Sequence, residues 1–437
     1  MLTACGSGGS RRAAVVAPLA SPTSPVSPAA LSSGPSPAVT LTPAGPKGTA
    51  PPGAVQVVVA GMDAFTGDLA TAIARPGANA VFSPLSISTA LSLVRVGARG
   101  RTAAEIDRVA HFPATGRDAV FGTLLHGLVT TSSAPPVPTA TPSLNTDGAP
   151  AKPVVAIADG VFARDARAID PGFLDTLRQR YGAPVQTVDF TSPQAVQVLN
   201  SWVAEHTAHR ITKIFDMLDP STQLVLANAV YLKAAWLQPF PPAQTKPAAF
   251  RTSSGASSQP PTMHQRAAHA YAETADWQAV ELPYAGGTLA MLVLLPRAAT
   301  DPAALLAGPT LLAAQRALTD HLVDLALPTW KTSSDVDLAP VLRGLGIVSA
   351  FGPGADLSGI APGLSIGQAV HRATIAVDET GTEAAAVTAF ALASGAEIPP
   401  PVPVTMAVDH PYAYAVVDTS TGTPLFTGVI NDPTTTS

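Results

Sequence analysis

Hydrophobic residues follow two different periods along the chain, and these periods predict where helices and strands lie. Ser83-Pro84 is typical of a helix start, with serine as the cap and proline in the first turn. The predicted helices cover the segment after Ser83 and residues 119–129, 173–181, 195–209 and 338–345. The predicted strands cover residues 154–162, 224–232, 290–295, 323–327, 374–377, 412–417 and 425–430. Helices fall mainly early and strands mainly late, which favours an α+β fold with segregated packing over alternating βαβ units.

Two segments show neither the helical nor the strand period of hydrophobic residues. Residues 1–54 are rich in Pro, Ser, Gly and Ala, and such a stretch cannot bury enough apolar surface to offset its ordering entropy. We therefore expect a disordered tail over 1–54 and one large domain over 55–437. A second Pro-rich stretch, residues 131–153, lies between a predicted helix and a predicted strand, so we expect an exposed insertion there.

Composition narrows the classes of function. Of the 437 residues, 46% are hydrophobic and 13% are charged, with a net charge of −5 and no basic cluster, so no nucleic-acid partner is expected. No apolar run reaches the roughly 18 residues of a membrane-spanning helix. Cys5 is the single cysteine, which excludes intramolecular disulfides and cysteine-based zinc sites. Six Lys against nineteen Arg, with abundant Ala, indicate a GC-rich bacterial genome.

The segment Leu2-Thr3-Ala4-Cys5-Gly6 resembles the lipobox at which bacterial lipoprotein precursors are cleaved and lipidated. A lipid on Cys5 followed by a long tail would tether the domain to a membrane surface. We therefore expect an extracellular or cell-surface lipoprotein. The alternative is a tail with a free thiol.

Ordered blocks of sequence from Val55 to Pro433 resemble the serpin family. The blocks are Val81-Phe82-Ser83-Pro84-Leu85-Ser86-Ile87, Leu199-Asn200-Ser201-Trp202, Leu226-Ala227-Asn228-Ala229-Val230-Tyr231, Asp356-Leu357-Ser358-Gly359-Ile360, Glu379-Thr380-Gly381-Thr382-Glu383-Ala384-Ala385-Ala386 and Asp409-His410-Pro411-Tyr412. The resemblance implies a fold of helices packed on three β-sheets, with an exposed reactive-centre loop over 379–408. It also implies a monomeric protease inhibitor, not an enzyme, with no metal or cofactor.

In serpins a protease cuts the loop, the loop inserts into the central sheet, and the protease stays trapped as a covalent acyl complex. The resemblance assigns a hydrogen-bonded cluster, here called the shutter, to Ser83, Ser86, Asn228 and His371. It places Trp236 near the point where the loop would insert. The alternatives are ordinary helix-start serines, a satisfied core histidine and a core tryptophan.

The loop's own residues fit insertion. The resemblance assigns the hinge to Glu379, Gly381, Thr382, Ala384, Ala385, Ala386 and Thr388. Under strand alternation its even-numbered side chains face one side, and up to Thr388 these are small, which lowers obstruction between neighbouring strands. Prolines at 399, 400, 401 and 403 cannot all pair in a sheet, so insertion should stop before Pro399.

Family spacing from the hinge places the scissile bond at Gly395-Ala396, with Leu392, Ala393, Ser394 and Glu397 as alternates. No Lys or Arg follows Arg372, which argues against a trypsin-like target because that pocket needs a cation. The residues suit an elastase-like or subtilisin-like protease, with a chymotrypsin-like protease as a fallback.

Three features leave alternatives open. Many serpins pair the hinge glutamate with a lysine just after Leu-Pro, whereas here Thr329 follows Pro328 and Lys331 comes two positions later. The run from Gly363 to Gly367 fits the G-x-S-x-G motif of hydrolases, with Asp378 and His410 downstream, but a strand and not a helix should follow it. His206 and His209 could pair on a metal, but no third ligand is apparent nearby, so surface histidines are the better explanation. A non-inhibitory serpin that acts as a binding module is the alternative function.

Overall fold

In the computed structural model the chain divides into two units, Met1–Ala38 and Val39–Ser437. The structure describes residues 50–129, 154–164, 169–181, 185–207, 209, 211–297, 300–382 and 402–435, all of which belong to the second unit. Cys5, the insertion at 131–153 and the loop residues 383–401 lie outside the described residues, so the predictions made for them stay predictions.

The helices alternate with strands early in the chain and are sparse later. The described α-helices are α1 (Ala54–Ile73), α2 (Pro84–Gly97), α3 (Gly100–Val109), α4 (Arg117–Val129), α5 (Pro171–Thr176, continued by a π-turn over Leu177–Tyr181), α6 (Ala195–His206), α7 (Gly308–Ala317) and α8 (Leu338–Leu345). Short 3₁₀ turns lie at Pro242–Gln244, Pro302–Leu306 and Ser349–Phe351.

The strands are grouped mainly in the second half of the chain. They are β1 (Ala80–Phe82), β2 (Val154–Ala163), β3 (Val185–Thr187), β4 (Leu224–Ala235), β5 (Lys246–Pro247), β6 (Phe250–Arg251), β7 (Ser257–Ser258), β8 (Pro261–Glu273), β9 (Trp277–Pro283), β10 (Leu289–Pro296), β11 (Thr319–Pro328), β12 (Trp330–Asp337), β13 (Ile366–Asp378), β14 (Gly381–Thr382), β15 (Val404–Ala407), β16 (Tyr412–Asp418) and β17 (Pro424–Ile430).

These strands form three sheets. A nine-stranded sheet has the order β1-β17-β16-β10-β9-β8-β11-β15, with β5 also paired to β8. A six-stranded sheet has the order β12-β13-β14-β4-β2-β3, and β6 and β7 form a separate pair. The predicted α+β architecture on three sheets is therefore confirmed.

Helix α2 contacts strands of both large sheets, β17 on one side and β2 and β4 on the other. Proline at its first turn and the Ser83 hydroxyl, which accepts a hydrogen bond from the Ser86 N–H at 3.2 Å, fix where it begins. Twelve of its fourteen residues are buried, because a helix enclosed by two sheets has no solvent face. The serines of α2 are consequently held inside the protein.

Helix α1 and strand β12 were not predicted from the sequence. Helix α1 contains consecutive valines, which weaken a helical assignment, yet its buried face packs against α7 and α2. Strand β12 reads Trp-Lys-Thr-Ser-Ser-Asp-Val-Asp and has few apolar residues, but it is an edge strand paired to β13 along its whole length. Among the described helices, none combines the length and hydropathy needed to cross a bilayer.

Candidate functional site

Strands β13 and β4 are neighbours at one end of the six-stranded sheet and separate at the other. They pair directly in parallel from Ile366 to Ala373 and from Leu224 to Val230. Beyond this, residues 374–376 and 231–233 have no mutual pairing among the described residues. The sheet therefore contains an opening between its two central long strands.

The two residues of β14 fill the far end of this opening. Thr382 pairs with Val377 of β13 and with Ala234 of β4, antiparallel to both. Its side chain is fully buried. Gly381 has a φ of 148°, and a Cβ there would lie 2.1 Å from the Ala234 carbonyl oxygen, so only glycine fits. Residues 381–382, which were predicted to belong to the exposed loop, are thus buried in the sheet as the start of an extra strand.

A tight turn reverses the chain between β13 and β14. One Asp378 carboxylate oxygen accepts hydrogen bonds from the Thr380 N–H at 2.8 Å, the Thr380 hydroxyl at 2.6 Å and the Gly381 N–H at 3.2 Å. From the segment that follows β4, the Trp236 N–H donates to the Thr380 carbonyl and the Phe240 N–H donates to the Glu379 carbonyl, both at 2.9 Å. The turn is thus held from within by a carboxylate and from outside by backbone donors.

Trp236 lies directly behind this turn. Its indole N–H donates to the Asp378 carbonyl at 2.9 Å, and its ring stacks on Tyr284 with 4.5 Å between ring centroids. Sequence reasoning placed Trp236 here and missed Tyr284. Strand β9, which Tyr284 directly follows, was not predicted either, so no expectation pointed to Tyr284.

The structure brings together all four predicted shutter residues beneath the paired part of β13 and β4. The Ser83 N–H donates to His371 Nε2 at 3.0 Å, so Nε2 is an acceptor and the ring proton lies on Nδ1. Nδ1–H donates to Asn228 Oδ1, and the Asn228 amide donates to the Ser86 hydroxyl. A hydrogen-bonded chain therefore joins helix α2 to both strands that would have to separate.

Burial lowers the pKa of His371 to about 3. The geometry agrees, because a proton added to Nε2 would face the Ser83 N–H, which is itself a donor. His371 is consequently neutral in the folded protein throughout the physiological range.

We expect His371 to make the protein less stable in acid. Unfolded histidine has a pKa of about 6.5, so below that pH the unfolded chain gains a proton that the folded chain cannot bind until about pH 3. The free energy of unfolding should fall by about 1.4 kcal/mol per pH unit in this window. His371→Gln removes this slope, so its melting temperature should fall less than that of the wild-type chain between pH 7 and pH 5.

Asp63 in α1 provides the matched control. Burial raises the pKa of its carboxyl to about 7, so between about pH 4 and pH 7 the folded state holds a proton that the unfolded state lacks. The stabilisation that Asp63 gives the folded state grows as the pH falls, whereas His371 destabilises the folded state over the same range. The melting temperature of Asp63→Asn should therefore fall more on acidification than that of the wild-type chain. Equal pH profiles for His371→Gln and the wild-type chain would contradict the assignment to His371.

The hinge ion pair of many serpins has no counterpart among the described residues. No cation of the described residues lies within ion-pair distance of the Glu379 carboxylate, and Lys331 lies on β12, opposite Ala376 of β13. Three hydrogen bonds to Asp378 hold the same turn instead. Exposed ion pairs are worth only about 0–1 kcal/mol, so little stability is lost by this exchange.

The geometry does not support the hydrolase alternative. Ser365 immediately precedes β13 and Asp378 ends it, so about 40 Å of extended strand separates the two residues. A strand follows the serine where a helix would be needed. His206 stacks on Trp202, and its Nδ1 bonds to the Trp202 carbonyl at 2.8 Å, while the described residues contain no group of three potential metal ligands.

The hinge residues Ala384, Ala385, Ala386 and Thr388 and the scissile-bond candidates 392–397 lie outside the described residues. The chain is described again from Val402, and β15 then pairs in parallel with β11 of the nine-stranded sheet. The loop is therefore anchored at one end in the six-stranded sheet and at the other in the nine-stranded sheet.

Comparisons with known proteins agree with this arrangement. A family model described as Serpin (serine protease inhibitor) matches residues 60–433. An uncharacterised serpin-like protein of Thermococcus kodakarensis is 33% identical over 382 residues, covering 86% of each chain. The leukocyte elastase inhibitor of Sus scrofa is 30% identical over 388 residues, covering 82% of this chain and 94% of its own. Human thyroxine-binding globulin superposes with a TM-score of 0.73 at 25% identity, covering 87% of this chain and all of its own.

Proposed function

Because the chain belongs to the serpin family, we propose that it inhibits a serine protease as a suicide substrate, by inserting its cleaved loop between β13 and β4. The observation that carries this proposal is the seated strand β14, which already pairs with both neighbours of the opening. A segment continuing from Thr382 has a ready position beside residues 374–376 and 231–233. It needs no rearrangement of the sheet until it reaches the directly paired region.

The register of β14 predicts what further insertion must break. Continued in the same register, Thr388 arrives between His371 and Asn228, which are now direct neighbours. The hydrogen bond from His371 Nδ1 to Asn228 must then be exchanged for new partners. The shutter therefore resists insertion in the intact protein, and the hydroxyl of Thr388 supplies a polar partner when insertion occurs.

Trapping follows ordinary acyl-transfer chemistry. The serine oxygen of the protease attacks the carbonyl carbon of the scissile bond, the peptide bond breaks, and the amine leaves with a proton. The freed loop end remains joined to the protease as an ester. If insertion carries this ester away before water attacks it, the distorted protease cannot complete hydrolysis. The outcome depends on insertion being faster than deacylation.

The target class follows from the residues near the proposed bond. Gly395-Ala396 and the neighbouring Leu392, Ala393, Ser394 and Glu397 offer small or apolar side chains and no cation. Elastase-like and subtilisin-like proteases accept such residues, and a chymotrypsin-like protease could cut after Leu392. The similarity to a leukocyte elastase inhibitor supports the first of these classes.

We expect a protease complex that survives boiling in detergent when the protein is mixed with pancreatic elastase or subtilisin. The band should equal the sum of the protease and the amino-terminal fragment of the inhibitor, since an ester links them. Protease whose serine has been blocked beforehand is the control and should form no such band. Trypsin should give no stable complex, because the loop offers it no cation.

Cleavage without a stable complex for every protease tried would reject inhibition. It would favour the second candidate function, a binding module, for which the similarity to thyroxine-binding globulin is the supporting observation.

A further inference from the structure

Tyr284 contributes a second contact to the seated strand, beyond its stacking on Trp236. It follows β9 directly and forms an isolated antiparallel bridge with Trp236. Its phenol oxygen lies 2.7 Å from the hydroxyl oxygen of Thr382, within hydrogen-bond distance. Both side chains are fully buried. A residue directly after a strand of the nine-stranded sheet therefore contacts the first inserted side chain of the six-stranded sheet.

These two hydroxyls depend on each other. Burial raises the pKa of Tyr284 well above its ordinary value, so the phenol keeps its proton and can donate or accept. A buried hydroxyl that loses its hydrogen-bond partner is costly, because no water is there to replace that partner as it would in the unfolded chain. Withdrawal of Thr382 from the sheet would leave the Tyr284 hydroxyl without this bond, which opposes withdrawal.

The surrounding contacts fix the positions of both hydroxyls, so the hydrogen bond between Thr382 and Tyr284 has one geometry. Asp378 fixes the preceding turn through three hydrogen bonds, and Gly381 fits closely against the Ala234 carbonyl. Trp236 supports the turn from behind and holds the Tyr284 ring parallel to its own, with 10° between the ring planes. The position of the Thr382 hydroxyl is thus determined by the turn, and that of the Tyr284 hydroxyl by the stacked ring.

We propose that Tyr284 is a positioning residue that holds the two residues of β14 in the sheet through the Thr382 hydroxyl, and so sets the balance between a seated and a withdrawn loop. Thr382 keeps the same register in the seated and the fully inserted states, so both retain the bond. Only the withdrawn state loses it. This inference rests on the proposed inhibitory function for its effect on trapping, but its structural part can be tested without a protease.

Tyr284→Phe removes one oxygen and keeps the ring stacked on Trp236. Hydrogen exchange read by mass spectrometry, on a peptide covering residues 377–382, should become at least about tenfold faster because the seated strand opens more often. With a protease that forms a stable complex, the number of inhibitor molecules used per protease trapped should rise about three- to tenfold. A loop that starts withdrawn has further to insert before water attacks the ester.

Thr382→Val tests the same bond from the other side and should have a similar effect. The double variant should show no faster exchange and no higher inhibitor consumption than either single variant, because all three lose the same hydrogen bond. Tyr412→Phe is the matched control: Tyr412 is also fully buried, and its hydroxyl has no hydrogen-bond partner among the described residues. It should leave both measurements unchanged.

Unchanged exchange in Tyr284→Phe would overturn the positioning role, whether or not the wild-type chain inhibits a protease. Additive effects in the double variant would also overturn it, since they would mean that the two hydroxyls act separately. Faster exchange in a chain whose wild type traps no protease would support the positioning role and reject the proposed function.

Discussion

Cutting the loop between residues 392 and 397 should raise the melting temperature by about 5–15 °C. Continued from β14, about nine more loop residues, up to about 391, can pair with β13 on one side and β4 on the other. The direct hydrogen-bond ladder between β13 and β4 is lost, and two new ladders form, one between the inserted strand and β13 and one between the inserted strand and β4. The net gain is about one backbone hydrogen bond per inserted residue, or about 5–13 kcal/mol at 0.5–1.5 kcal/mol each.

The expected shift follows from the size of the domain. An unfolding entropy of about 2.1 cal/mol/K per residue, over roughly 380 residues, converts each kcal/mol into about 1 °C. Burial of Phe390 would add to the effect. On the proposed mechanism a kinetic barrier keeps the intact chain from this state, because its loop is anchored at both ends and the shutter holds β13 against β4.

Differential scanning calorimetry on the intact and cut chains, with the protease removed, measures the shift. An intact sample carried through the same purification is the control. Equal melting temperatures would mean that the cut loop stays in solvent, and the proposed trap would have no driving force.

Periodicity in the sequence was sufficient where one period dominates. Helix α8 matches its predicted bounds, because the Asp337 carboxylate caps its start and Gly346, with a φ of 110°, ends it. Strand β13 alternates buried and half-exposed residues along its length, which is the pattern that predicted its second half. Strand β12 could not be found in this way, because pairing to β13 and not its own composition makes it a strand.

Periodicity could not predict which residues form the candidate site. Ser83, Asn228 and His371 lie on separate elements up to 288 residues apart, and no local pattern links them. Only the resemblance to a family predicted that they meet. Tyr284 and Asp378 escaped prediction because their roles depend on a hydroxyl and a carboxylate that meet the turn in three dimensions. Alternation did predict that Thr382 begins a series of even-numbered side chains on one face.

Thr382→Arg should convert the protein from an inhibitor into a substrate. Thr382 is fully buried, and its described neighbours Val377, Ala234 and Tyr284 carry no acid that could neutralise a guanidinium. Burying an unpaired charge costs several kcal/mol, so the loop should remain withdrawn after cleavage. We expect at least about ten times more inhibitor cleaved per protease trapped, and a much weaker complex band on a denaturing gel.

Glu383→Arg is the matched control because it places the same side chain one residue further along. Under strand alternation position 383 faces the opposite, solvated side of the sheet, so this variant should still trap its protease. Both variants should be cut at the wild-type rate, which would show that each is folded and presents its loop. If the two arginines impaired trapping equally, the face assigned to Thr382 would be wrong. If neither impaired it, insertion would not begin at β14.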